Sequence, residues 1–376
     1  MSALYLHIPF CKSRCIYCDF YSGTDVSMKT RYVKALCDEL ELRAKYLPSN
    51  DLDSIYFGGG TPSLLELSDF ECLFAQINAC FTVLPSAEIT IECNPDDLTE
   101  RYVSDLRQLP FNRMSIGIQS FDDSELRFLN RRHSAQQAQA AVAMCQAHGL
   151  ENISIDLMYG LPNQTLDSWT RTLATAMELN VQHISAYSLM YEEGSPLTRL
   201  LRNNKITEMD EATNVMLFET LIDTLQSQGF EQYEISNFCR PTFHSRHNSS
   251  YWHGTPYLGV GAAAHSFDGD SRQWNVANTT RYMEGVIARQ LIIEREELTT
   301  NEHYNEFVFT ALRTRIGINL EDLERRFGKA RLAYCLESAQ RYLENGMLVK
   351  ADGYLHLTRA GIFVSDGIMS DLCYVD

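Results

Sequence analysis

Six short runs rich in Ile, Val, Tyr and Phe recur along the first half of this 376-residue chain. They fall at 4–8, 54–57, 88–93, 113–118, 153–158 and 183–188, and stretches of helical period cover 28–45, 67–79, 99–108, 135–148 and 166–178. Short apolar runs alternating with helices are the pattern of repeated βα units. Parallel strands joined by crossovers need helices covering the sheet, so the expected fold class is α/β. Six units are too few for an eightfold barrel. The expectation is an incomplete (β/α)6 barrel, open on one side, with its functional residues gathered in the loops at the C-terminal ends of the strands.

Those loops hold the residues with chemistry to offer. After the first strand, the run from His7 to Phe20 places Cys11, Cys15 and Cys18 within eight residues. Iron–sulfur clusters are normally held by four thiolates, so three cysteines with no fourth nearby imply a cluster with one iron open to a ligand. Zinc would want a fourth N or S ligand, and His7 alternates away from the cysteines if 4–8 is a strand. Eleven cysteines and no secretory signal argue against a disulfide framework. The other eight are scattered and read as small buried hydrophobes.

Gly58-Gly59-Gly60-Thr61-Pro62 follows the second strand and offers backbone that a ligand can approach closely. It lacks the Lys-Ser/Thr of a phosphate loop. Glu92 and Asn94 end the third strand, Gln119 the fourth, and Asp156 to Gly160 the fifth. Together with Arg131 these suit an amino-acid-like sulfonium ligand: carboxylates for its ammonium, a guanidinium for its carboxylate, acceptors for its ribose hydroxyls. The segment 259–264, Gly-Val-Gly-Ala-Ala-Ala, mimics a dinucleotide fingerprint without the βαβ setting, and reads as tight backbone packing.

From about Tyr191 the pattern changes to a long helical run at 209–228 and a Gly- and aromatic-rich stretch at 233–267. In the tail, 320–327, 330–345 and 354–365 read as helix, helix and β-hairpin, resembling a small winged-helix module. The expected division is 1–190 for the barrel, 191–295 for an extension, and 296–376 for a helix-rich C-terminal domain. A formal net charge of −17 argues against nucleic acid as a partner, because phosphate contacts need surplus Lys and Arg. No apolar run reaches the roughly 18 residues of a membrane span, so a soluble cytoplasmic protein is expected.

The run His7-Ile-Pro-Phe-Cys-x3-Cys-x-Tyr-Cys, the 58–62 glycine motif, Gly117-Ile-Gln-Ser-Phe121, Asn130-Arg131 and Asp156-Leu-Met-Tyr-Gly-Leu-Pro162 resemble the HemN/HemW branch of the radical S-adenosylmethionine (SAM) superfamily. The resemblance spans nearly the whole chain. It implies a [4Fe–4S] cluster on Cys11, Cys15 and Cys18 whose open iron binds SAM. It also implies one SAM against Tyr5, Gly59, Gly60, Thr61 and Glu92; in the dehydrogenase branch Tyr17, Gln119, Arg131 and Asp156 line a neighbouring SAM position, and the resemblance does not divide these residues between the two positions here. Coproporphyrinogen III dehydrogenases of this branch carry an N-terminal extension and a C-x3-C-x2-C-x-C motif. Here the first cluster cysteine is already residue 11, and Phe20 holds the last cysteine position. His247-Asn248-Ser-Ser-Tyr251-Trp252 matches instead the H-N-x-x-Y-W motif of the HemW-type haem chaperones, which pass haem to client proteins such as respiratory enzymes. That similarity implies haem as ligand, with His247 as its axial ligand and Asn248, Tyr251 and Trp252 as contacts. Porphyrinogen dehydrogenation is the alternative activity. Haem proteins are the implied partners, with room for a homodimer and for peripheral membrane contact.

Overall fold

The structure, a computed structural model, describes residues 2–375. The six expected units are present: β1 (Ser2–Ile8), α1 (Lys29–Leu42), β2 (Asp51–Gly59), α2 (Leu67–Cys80), β3 (Thr82–Cys93), α3 (Glu100–Leu106), β4 (Arg113–Gln119), α4 (Asp123–Phe128), α5 (Ala135–Ala147), β5 (Ile153–Tyr159), α6 (Leu166–Glu178) and β6 (His183–Ser188). These strands pair in parallel in chain order.

Period-two alternation decides which way each strand faces. On β4, Met114, Ile116 and Ile118 belong to the main apolar core, while Arg113, Ser115, Gly117 and Gln119 take the opposite face. The neighbouring strands follow suit, with Ile153, Ile155 and Leu157 set against Ser154 and Asp156, and Ile55 and Phe57 against Ser54 and Tyr56. The helices are therefore held by an aliphatic outer face, and the concave interior is polar. Trp169 of α6 is fully buried in the outer layer and donates its indole N–H to the Leu217 carbonyl at 2.9 Å. Truncating it to Ala would cost about 3–5 kcal/mol.

The sheet is larger than the six strands expected. After α7 (Pro196–Arg202) and α8 (Glu211–Ser227) come β7 (Glu231–Gln232), β8 (Asn237–Cys239), α9 (Arg246–Trp252), β9 (Tyr257–Val260), β10 (His265–Phe267), β11 (Ser271–Asn275), α10 (Thr279–Ile287) and β12 (Ile293–Glu297). All their strands join one twelve-stranded sheet, ordered β12-β11-β10-β9-β1-β2-β3-β4-β5-β6-β8-β7. β9 lies parallel to β1 and is a seventh parallel strand, while β8 continues antiparallel beyond β6. Gly259 of β9 belongs to the 259–264 segment, and a Cβ there would sit 2.0 Å from the His265 carbonyl oxygen. The buried Glu39 of α1 ties this region down, accepting from Gly261 N, Asn275 Nδ2 and Tyr282 Oη at 2.8, 2.8 and 2.6 Å.

The tail comprises α11 (Thr300–Arg313), β13 (Ile318–Asn319), α12 (Leu320–Glu344), β14 (Leu348–Ala351), β15 (Tyr354–Leu357), α13 (Arg359–Ile362) and α14 (Ser365–Leu372) around a separate apolar core. Gly328, at φ 82°, breaks α12 between the two helices expected there. The hairpin expected at 354–365 is corrected: β14 and β15 pair across Asp352-Gly353, both at positive φ, and 359–362 and 365–372 are helical. Asp-Gly between two strands favours a tight primed turn, which fixes the register.

Candidate functional site

The cysteine loop leaves β1 and is fastened by backbone. Cys11 N donates to Gly23 O at 2.9 Å, Gly23 N to Pro9 O at 2.8 Å, and Ile16 N to Leu129 O at 3.3 Å. Lys12 donates to Asp97 at 2.5 Å, and the same buried carboxylate accepts from Ser63 Oγ at 2.9 Å and meets Arg132 at 3.5 Å. One acidic side chain thus joins the cysteine loop, the glycine loop and the segment after α4. The His7 ring is engaged with Tyr21 O at 2.8 Å and the Tyr5 hydroxyl at 3.1 Å, so it is no fourth ligand for the thiols.

Cys11, Cys15 and Cys18 are unpaired thiols opening on one cavity of about 550 Å³. They do not converge on a single-ion point; among the described residues no trio of His, Cys, Asp or Glu does. Two sulfurs already accept hydrogen bonds, Cys11 from Thr61 Oγ1 at 3.5 Å and Cys15 from Arg131 Nη1 at 3.2 Å. Donors aimed at sulfur suit a thiolate, the form that binds iron, and such bonds tune cluster potentials. The donor set therefore fits a cluster.

The glycine run has a packing role that the sequence reading missed. A Cβ on Gly60 would lie 2.8 Å from Phe10 O and 3.0 Å from Cys11 Sγ. Gly59, at φ +111°, would press one to within 2.7 Å of His7. Both glycines let the end of β2 touch the cysteine loop, and with Thr61 they also line the cavity.

The cavity wall beyond the thiols is charged and polar. Glu92 accepts from Tyr56 Oη at 2.7 Å and Gly59 N at 3.2 Å, and burial pushes its carboxyl up to about 7. Burial likewise lifts Asp156 to about 6, against the pull of Arg113 and hydrogen bonds from Ser185 and Ser115. Arg131 donates to Asn94 Oδ1 at 2.6 Å, to Gly117 O and to Cys15, and its Nε is buried without a partner. Gln119, at φ 74°, and Tyr17 complete this side. Tyr5 lies just behind the wall, stacked on Tyr56 with ring centroids 6.2 Å apart. Sequence reasoning missed Tyr56, Arg113, Ser115 and Ser185, all of which face the same space.

The motif at 247–252 forms α9, and α9 stands at the floor of the barrel. Glu88 at the foot of β3 accepts the backbone N–H of Arg246 and of His247, each at 2.9 Å. His247, nominated as an iron ligand, is only 1% exposed. Ser54 Oγ lies 2.9 Å from its Nδ1 and Tyr251 Oη 3.0 Å from its Nε2, and its ring stacks on Tyr56 at 4.9 Å. Burial drives its pKa down to about 3, so the imidazole is neutral. Trp252 points the other way, beneath the Arg313 guanidinium of α11 at 4.9 Å, with its indole N–H buried and unpartnered. Only Asn248 of the motif lines the cavity.

Comparison with known proteins fits this architecture. Residues 5–176 match the radical SAM superfamily and residues 298–364 the HemN C-terminal domain. Heme chaperone HemW of Mycobacterium tuberculosis is 34% identical, covering 98% of this chain and 94% of the relative. Heme chaperone HemW of Bacillus subtilis is 31% identical over 96% of each, and that of Escherichia coli 35% identical over 70% of this chain and 69% of its own. Among solved structures, the Escherichia coli coproporphyrinogen III oxidase HemN, a radical SAM enzyme, superimposes with a TM-score of 0.85 at 23% identity, covering 99% of this chain and 90% of that one. That likeness shows the fold. Identity at this level along almost the entire length shows more: the chain belongs to the HemW family of the radical SAM superfamily.

Proposed function

We propose that this protein is a cytoplasmic haem chaperone that binds haem and passes it to client haem proteins, and that it carries a [4Fe–4S] cluster and SAM. The carrying observation is the shared cavity, with three thiols at its mouth and Asn248 of the motif helix at its floor. Relatives named heme chaperone HemW along the full length support the haem role. Cys11, Cys15 and Cys18 would hold the cluster, and Gly59, Gly60, Thr61, Glu92, Gln119, Arg131, Tyr17 and Asp156 would surround SAM, with Tyr5 supporting the wall. A cluster with SAM on its open iron supplies one-electron chemistry. The residues around it hold the loop and set the charge. Glu92, near 7, exchanges a proton at working pH, so it can meet an ammonium as a carboxylate.

His247 is neutral, as an iron ligand must be, yet both ring nitrogens are engaged. Haem ligation by His247 therefore requires α9 to withdraw from the barrel floor, with Tyr251 and Trp252 moving alongside. No helix among the described residues is long and apolar enough to cross a membrane. The test is a Soret-band haem titration of reconstituted protein, native and His247→Ala. Saturable binding by the native chain that weakens in the variant is expected. Equal binding by both would remove His247 from the site, and nonsaturable binding by the native chain would remove the chaperone role. Conversion of coproporphyrinogen III by the reduced, SAM-loaded protein would move the assignment to a dehydrogenase.

A further inference from the structure

Two guanidinium groups line the cavity, and the protein uses them differently. Arg131 beside the cysteines has both terminal nitrogens engaged, by Cys15, Asn94 and Gly117, and only its Nε lacks a partner. Arg113, the first residue of β4, is 2% exposed, and its Nε has no hydrogen-bond partner. Among the described residues no carboxylate forms an ion pair with it. Its charge is nevertheless felt from every side: it opposes ionisation of His247 on α9 and of His183 on β6, and favours ionisation of Asp156 on β5 and Glu92 on β3.

A guanidinium carries five N–H donors, and burying them without acceptors is costly. Ser115 and Ser185 give their hydroxyl protons to Asp156, and no hydrogen bond runs from Arg113 to either. Asn248 lines the same cavity, and its side-chain amide likewise has no protein partner among the described residues, while its backbone N–H donates to Ser245. Two donor groups from different elements thus line one cavity with no acceptor bonded to them. Glu92 and Asp156 face it too, which disfavours a dianion such as phosphate.

We propose that Arg113 and Asn248 form a carboxylate-binding subsite at the inner end of the barrel cavity, separate from the cysteine side where Arg131 sits. A ligand carboxylate gains charge-assisted bonds from a planar fork and an amide donor. Two sources can supply it: a propionate arm of haem, which rests on the chaperone reading, or the amino-acid end of a smaller ligand such as methionine or SAM, which does not.

The test compares native protein with Arg113→Gln, cluster-reconstituted and anaerobic. The probes are haem against haem dimethyl ester by Soret titration, and methionine and SAM against 3-(methylthio)propylamine by calorimetry. Loss of one charge-assisted pair is expected to weaken the carboxylate ligand by roughly tenfold or more. The ester or the amine should be unaffected by the substitution. Weakening confined to haem identifies a propionate, and weakening confined to methionine or SAM identifies the amino-acid end. If native protein binds no haem, the chaperone reading falls while the amino-acid arm still decides the subsite. Should Arg113→Gln fail to fold, Asn248→Asp places an internal carboxylate opposite Arg113 and is expected to exclude the same ligand. Affinities within twofold of native for every carboxylate probe would overturn the subsite and leave a water-filled chamber.

Discussion

Replacing Glu92 with Gln should flatten the pH dependence of stability, by an amount the structure lets one work out. Glu92 is half-buried in the cavity wall, and its carboxyl is raised from 4.5 to about 7, chiefly by burial. A raised carboxyl is protonated in the folded state while still ionised in the unfolded chain, so its contribution is fully present below about pH 4.5 and is lost as pH climbs through 7. At about 1.4 kcal/mol per pH unit, the native protein should lose about 2.5 kcal/mol between pH 5 and pH 8 through this one group. Gln keeps an oxygen to accept from Tyr56 or Gly59 but has no proton to release. The assay is denaturant or thermal unfolding of both proteins, without SAM, across that range. The stability of Glu92→Gln relative to native should rise by about 2.5 kcal/mol from pH 5 to pH 8. Parallel profiles would mean that Glu92 titrates as an ordinary carboxylate and that its place in the cavity wall does not raise it.

Other perturbations probe other parts of the same construction. His247, lowered to about 3, contributes stability that is lost as pH falls below about 6.5; from pH 7 to pH 5 its share is about 2 kcal/mol, and His247→Gln should remove that slope in acid unfolding curves. Asp97→Ala releases Lys12, Ser63 and Arg132 together, so it should cost about 2 kcal/mol in unfolding and speed loss of the visible iron–thiolate absorbance under a chelator. Gly259→Ala drives a Cβ to 2.0 Å from the His265 carbonyl and should cost about 3 kcal/mol or more. By contrast Gly23→Ala meets nothing within 4 Å and should stay within about 0.5 kcal/mol by thermal melting.

The parallel barrel was legible because each strand carries its own local signal, a short aliphatic run, closed in four of the six by Pro9, Gly58, Asn94 or Gly160. The outer strands were not. β7, β8 and β10 are two or three residues long and owe their existence to neighbours far away in sequence. Reading 113–118 as one apolar run hid Arg113, whereas strict alternation puts Arg113, Ser115 and Gln119 opposite Met114, Ile116 and Ile118. Period two was the available signal for the polar interior. The cysteines and the cavity residues were found by motif, since loop chemistry is local. Burial of His247 could not be read, because it depends on Ser54 and Glu88, more than 150 positions away, receiving α9 at the barrel floor.

The account stands most directly on electron paramagnetic resonance of the reduced, anaerobically reconstituted chain, recorded before and after SAM is added and alongside iron and sulfide analysis. It predicts the iron and sulfide of a single [4Fe–4S] cluster per chain, a signal that shifts when SAM reaches the open iron, and loss of both in Cys15→Ala. Zinc in place of iron, or a cluster signal indifferent to SAM, would contradict it.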